Sequence, residues 1–187
     1  MPDPFKWLSD SAQRSALLIS FLLSLSLLTA MYSLDQKLIT DEAPRGIISF
    51  ELAGSIEKAE KILKEWGPQG KAYATLSLGL DYLFLIVYSI FIALACVRIT
   101  GHLNLRFSFV AAWGFGLGWA QFLAALLDAI ENFALINLAF DSQRESWPLI
   151  ARWFALVKFG IVGTGLAYIT TGILFILILK VLYFRGS

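Results

Sequence analysis

One cysteine, one histidine and little charge set the first limits on this chain of 187 residues. Cys96 alone cannot form an intrachain disulfide or a thiolate metal cage. His102 alone leaves haem ligation and histidine-rich metal centres without their ligands. No metal and no cofactor is expected. Charged residues make up 16% of the sequence, against about 25% in a soluble domain. The formal net charge is +1, so no basic or acidic field is aimed at a phosphate backbone, and nucleic acid is not an expected partner. What abounds is apolar. Residues of the AVILMFWYC set reach 58% and the mean hydropathy is +0.70, which excludes a disordered tail and an ordinary cytosolic enzyme.

The apolar residues fall into four long runs, Ser15 to Leu34, Ala72 to Val97, Phe107 to Phe140 and Leu149 to Leu179. Each meets the ~20 residues that a helix needs to cross a ~30 Å hydrocarbon layer. In lipid the backbone must satisfy its own polar groups, which a helix does within one segment. The short alternating segments of a barrel are absent. The predicted fold is therefore all-α, a single membrane domain over 1–187 with four transmembrane helices. The first run is expected to be a retained anchor, because Leu28-Thr29-Ala30-Met31-Tyr32 offers no clean small-x-small cleavage site. The third run is too long to lie wholly in lipid, so either its end near Asn137 to Phe140 projects outward or the helix tilts.

Lys and Arg placement sets the expected orientation. The connection from Arg98 to Arg106 holds two arginines and His102 without an acid; Lys6 and Arg14 precede the first run, and Lys180 and Arg185 close the last. From Asp35 to Lys71 six basic residues are balanced by seven acidic ones, and the turn from Asp141 to Arg152 is balanced too. The positive-inside bias places both termini in the cytoplasm and the 35–71 and 141–148 segments outside. Trp7, Trp66, Trp147 and Trp153 lie near the span boundaries as an interfacial belt would, with Trp113 and Trp119 deeper.

The first outer segment carries a helix pattern of its own. Leu52, Ile56, Ala59, Leu63 and Trp66 recur at steps of four and three, and Glu57, Lys58, Glu60, Lys61 and Lys64 take the other face. Glu57–Lys61 and Glu60–Lys64 stand in the favourable i,i+4 order. The expectation is an amphipathic helix over 49–66, stopped by Gly67-Pro68 and packed as a lid on the bundle.

Polar residues inside the spans carry the functional signal. Asp81 lies in the second run, Asp128, Glu131 and Asn132 in the third, Lys158 in the fourth. A charge at the centre of a lipid-facing helix costs ~2.5–3.5 kcal/mol, so these groups are expected to face one another. Depth agrees: at 1.5 Å per residue each lies roughly 15–20 Å from the outer boundary. Ser77, Asp81 and Tyr88 share one helical stripe; Gln121, Asp128 and Asn132 share another, with Glu131 beside it. Ala151, Ala155 and Gly165 flank Lys158 with small residues that let a helix approach. Gly114 with Gly118, and Gly160 with Gly163, do the same elsewhere. Full ionisation of three acids against one lysine would leave two negative charges in surplus, unless Arg152 reaches down or water enters. The candidate polar core is Ser77, Asp81, Tyr88, Gln121, Asp128, Glu131, Asn132 and Lys158. His102 is read as a solvated loop residue, Cys96 as packing, and Gly114-x-Gly116-x-Gly118 as helix contact rather than a nucleotide loop.

Phe50-Glu51-Leu52-Ala53, Leu80-Asp81-Tyr82-Leu83-Phe84 and Leu127-Asp128-Ala129-Ile130-Glu131-Asn132 resemble blocks in a family of small bacterial four-helix inner-membrane proteins without an assigned activity. The resemblance covers residues 45–160. It implies the architecture and a bacterial inner membrane, and no chemistry. Three functions fit the residues. The first is a structural, assembly or accessory component, not an enzyme, whose polar core fixes helix register and which joins a second copy or a larger membrane complex. The second is a binding or acid–base catalytic bundle for an amphipathic, lipid-like ligand entering from the outer side, with membrane lipid as partner. The third is a proton or ion path. A pocket of ~300 Å³ or more beside the charges would favour the second.

Overall fold

A computed structural model describes residues 1–103, 108–140, 142 and 144–185; Arg106, Phe107 and Asp141, which entered the readings above, lie outside them. The described chain is helical: α1 (Asp10–Asp35), α2 (Ile47–Glu51), α3 (Ile56–Leu103), α4 (Ser108–Ala139) and α5 (Ser146–Arg185). Ser9 starts α1 by accepting a hydrogen bond from the Ala12 N–H at 3.2 Å, as a capping hydroxyl does. Four helices, α1, α3, α4 and α5, are long and apolar enough to cross a membrane.

The burial pattern is the reverse of that of a water-soluble bundle. The buried residues of α1 are Ser20 and Ser24, while Leu18, Ile19, Leu22 and Leu23 are exposed. An exposed apolar belt of this extent in water would mark an interaction surface; on helices long and apolar enough to cross a membrane it is compatible with a membrane protein. The central helix is α3. Its most apolar stretch is 56% buried, against 17% for α1 and 11% for α5. It packs against α1, α4 and α5, and α4 packs against α5. Between α1 and α5 there is no substantial packing among the described residues. One side of the bundle is therefore left as a groove.

The helix expected over 49–66 takes a different form. It divides into α2 and the first arm of α3, separated by Gly54 at φ +71°. Ser55 caps the new start: its carbonyl accepts from the Ala59 N–H and its hydroxyl from the Lys58 N–H. Nor does Gly67-Pro68 end the helix. Gly67, at φ +59° and ψ −167°, occupies backbone space nearly reserved for glycine. Pro68 then supplies the fixed φ and missing N–H that suit a first helical turn. The result is a sharp bend rather than a loop.

Ala59, Leu63 and Trp66 are buried as the periodicity requires, together with Ile62. They pack with Leu38, Ala43 and Phe50 over Ala74 and Leu78 of α3, Leu135 and Leu138 of α4, and Ala151 of α5. Trp66, expected among the interfacial tryptophans, instead sits inside this cluster; its indole N–H donates to the Leu38 carbonyl at 2.8 Å and its ring meets Phe50 edge-on at 5.3 Å. At the far end of α4, Leu135, Leu138 and Ala139 are covered by the same cluster, while Phe140 just beyond it is exposed. Asp35, the last residue of α1, accepts a hydrogen bond from the Ile47 N–H at 2.7 Å. Gly46, at φ +53°, passes so close to that carboxylate that a Cβ would overlap it. Thus α1 positions α2, and α2 crosses the α2 end of the groove.

Gly114 and Gly118 do admit close neighbours: a Cβ on Gly114 would strike Thr100 and Tyr168. Gly160 and Gly163 differ from expectation, since nothing lies within 4 Å of where their Cβ atoms would stand. They face outward from α5.

Candidate functional site

Lys158 is the centre of the polar cluster. Its Nζ donates to Asp128 Oδ1 at 2.8 Å and stands 2.8 Å from Glu131 Oε2. Asp128 and Glu131 are three residues apart on α4, hence neighbours on one face, which is why a single ammonium on α5 reaches both. The small α5 residues Ala151 and Ala155, both fully buried, let α4 come close enough for the contact. On α3, Tyr88 donates its hydroxyl to the second Asp128 oxygen at 3.0 Å. Asn132 donates its amide to Asp81 Oδ2 at 2.7 Å. Three helices thus close one network, with Asp128, Glu131, Asn132 and Lys158 all at most 6% exposed.

Two members of the expected set stand differently. Ser77, buried, is on the cavity wall described below rather than within the ion pairs. Gln121 is not in the cluster. Two helical turns along α4 from Asp128, about 10 Å, its amide donates to the carbonyls of Leu117 and Ile161, and it packs against Gly165. The shared stripe was real, but a stripe runs the length of a helix while an ion cluster occupies one level. Arg152 stays exposed, its guanidinium beside Gly54. His102 is exposed too, one ring nitrogen 2.8 Å from the Arg98 carbonyl.

A residue that the sequence reading left in the outer charge balance belongs here. Glu51, the last residue of α2, turns one carboxylate oxygen into full burial although the residue as a whole is half-buried. Burial holds its carboxyl above the usual glutamate range; Lys158 and Glu131 oppose this, while Asp128 and Asp35 reinforce it. The available signal was spacing. Glu51 falls four residues after Ile47, on the apolar face of its short helix, where an unpaired acid is out of place.

The cluster borders a cavity of about 440 Å³ in the α1–α5 groove. Asp81, Asp128, Lys158, Ser77 and Tyr88 lie on one side and Glu51 at the α2 end. Opposite them α1 contributes Phe21, Ser24, Leu25 and Leu28, and α5 adds Phe159, Val162 and Leu166. The volume lies within the roughly 300–1,000 Å³ of small-molecule sites. Its walls combine the two characters of an amphiphile, a carboxyl-rich end and an apolar trough. Compared with protein-family models, curated proteins and solved structures, the chain matches none.

Proposed function

We propose that the chain is an integral membrane protein that binds a lipid-like amphiphile in the groove between α1 and α5, with the polar head at the carboxyl-rich end bordered by Glu51, Asp81, Asp128 and Lys158. The observation that carries this reading is the 440 Å³ cavity bordered by the buried charges. A cluster that only fixed helix register would need no such space. The absence of α1–α5 packing among the described residues gives an apolar chain a lateral way in from the bilayer. The segment 47–66 acts as a lid over the α2 end, and its apolar face is used up in packing on the bundle. Acid–base work by a cavity carboxyl is chemically feasible, but binding is the function the geometry supports best. Both termini are assigned to the cytoplasm, and the membrane to a bacterial inner membrane, on the charge bias and the resemblance.

A second reading has its own observation. Direct pairing of Lys158 with Asp128 and Glu131 is also how a bundle fixes which helices meet. Together with outward-facing Gly160 and Gly163 it fits a structural subunit that joins a second copy or a larger complex.

Mass spectrometry of lipid co-purifying with the protein separates the two. Wild type is expected to carry about one amphiphile per chain. Val162→Trp, which fills the cavity from α5, is expected to carry none while keeping its helical content. Equal lipid on both would leave the structural reading standing.

A further inference from the structure

We propose that the head group taken by this cavity is a cation with N–H donors, a primary amine on a single apolar chain, and that Glu51 with Ser24 receives it. The inference rests on the binding reading above and adds the ligand's chemistry.

Hydrogen-bond accounting leads there. Most of the protein's own donors at the site face partners of their own. Lys158 is directed at Asp128 and Glu131, the Tyr88 hydroxyl at Asp128, and the Asn132 amide at Asp81 Oδ2. Two oxygens are left over that can accept, and of these only the Ser24 hydroxyl can also donate when Glu51 is ionised. Glu51 Oε2 and Ser24 Oγ are buried without a hydrogen-bond partner, and both line the cavity. Ser24 is 9% exposed and sits on α1, across the groove from Lys158 on α5. Buried polar atoms are rarely left orphaned, and a cluster of them facing one space is what an absent partner leaves behind.

Charge gives the same answer. Four carboxyl side chains, those of Glu51, Asp81, Asp128 and Glu131, meet one ammonium, that of Lys158. Burial favours the protonated form of Glu51 while the site is without a cation; an ammonium head would favour its carboxylate, whereas an anionic head would crowd the set further. Lys158 already faces two carboxylates, those of Asp128 and Glu131, so it is not an open cation for an anionic head. The trough of Phe21, Leu25, Leu28 and Leu166 accepts the hydrocarbon, and 440 Å³ holds one chain rather than two.

The test compares amphiphiles that differ only in the head. Native mass spectrometry of the full chain, released from non-ionic detergent micelles at pH 7.5, is titrated with dodecylamine, dodecanol and dodecanoate. The expected result is one dodecylamine per chain, retained at a concentration at least tenfold below that needed for dodecanol, with dodecanoate no better than dodecanol. Glu51→Gln, near-isosteric and on the peripheral α2, is expected to reduce the preference for the amine over dodecanol at least fivefold. Dodecanoate binding as well as the amine, or a preference that survives Glu51→Gln intact, would overturn the head-group assignment while leaving chain binding in place. No probe retained by wild type would remove both. Should Glu51→Gln fail to fold, judged by circular dichroism and gel filtration, the order of the three probes on wild type decides by itself.

Discussion

Replacing Lys158 by methionine isolates the energetic core of the bundle. Methionine keeps most of the side-chain volume, so the loss is of charge rather than of packing. Lys158 faces Asp128 and Glu131 at 2.8 Å each. At an effective dielectric of about 20, each contact is worth roughly 6 kcal/mol of direct attraction. Burying the three ions costs several kcal/mol apiece, so the net stabilisation is far smaller than that sum. Removing only the cation forfeits the attraction and keeps the burial, a loss of about 3–5 kcal/mol. Adding Asp128→Asn to Lys158→Met should recover about 1–3 kcal/mol, because the amide oxygen still accepts from Tyr88 while one stranded carboxylate is gone. The assay is unfolding by sodium dodecyl sulfate in mixed micelles, followed by circular dichroism, for wild type, both single variants and the double variant. A loss under about 1 kcal/mol for Lys158→Met would refute the burial argument. So would a double variant weaker than either single one.

Other consequences are open to simple measurement. Gly46→Ala places a Cβ into the Asp35 carboxylate at a positive φ; strain of about 1–3 kcal/mol should loosen α2, seen as faster tryptic cleavage at Lys37 and Arg45, and an unchanged cleavage rate would count against α1 positioning α2. Burial raises the Glu51 carboxyl in the folded state, so the fold binds more protons than the unfolded chain. Stability should therefore be full below the ordinary glutamate range and fall as pH rises through it toward the raised value. Glu51→Gln should match wild type near pH 4 and flatten that decline up to pH 8; a decline as steep as in wild type would refute the assignment. Lys158, Asp128, Glu131, Asp35 and Asp81 face the same group and shape the curve. For orientation, Cys96 is buried and gives a low labelling background. In intact cells a membrane-impermeant maleimide should label Lys58→Cys and reach Lys6→Cys only after permeabilisation; the opposite order would invert the topology.

Much of this protein is local, and what is local was readable. Helical type and four membrane-length stretches follow from runs of apolar residues, because a backbone in oil has few ways to satisfy itself. Asp81, Asp128, Glu131 and Lys158 could be brought to one level by counting residues, since helical rise is constant. The same reasoning overreached at Gln121, whose face matches Asp128 but whose level does not. It also misjudged 49–66, where periodicity continued through Gly54 although the backbone turned.

Tertiary structure decided what depends on which faces meet. No pattern within α1 or α5 records that the two stay apart, because helix approach is governed by the fit of both partners and by the residues between them. That gap makes the cavity. Glu51 lay among seven acids in the outer segment, indistinguishable by composition from the solvated ones. Only the bend at Gly46, held by Asp35, and the turn at Gly54 carry it over the groove. Sequence thus determined the helices and the depth of their charges, through hydropathy and rise per residue. The folded chain alone determined that those charges border a space, because a void is a property of neighbours.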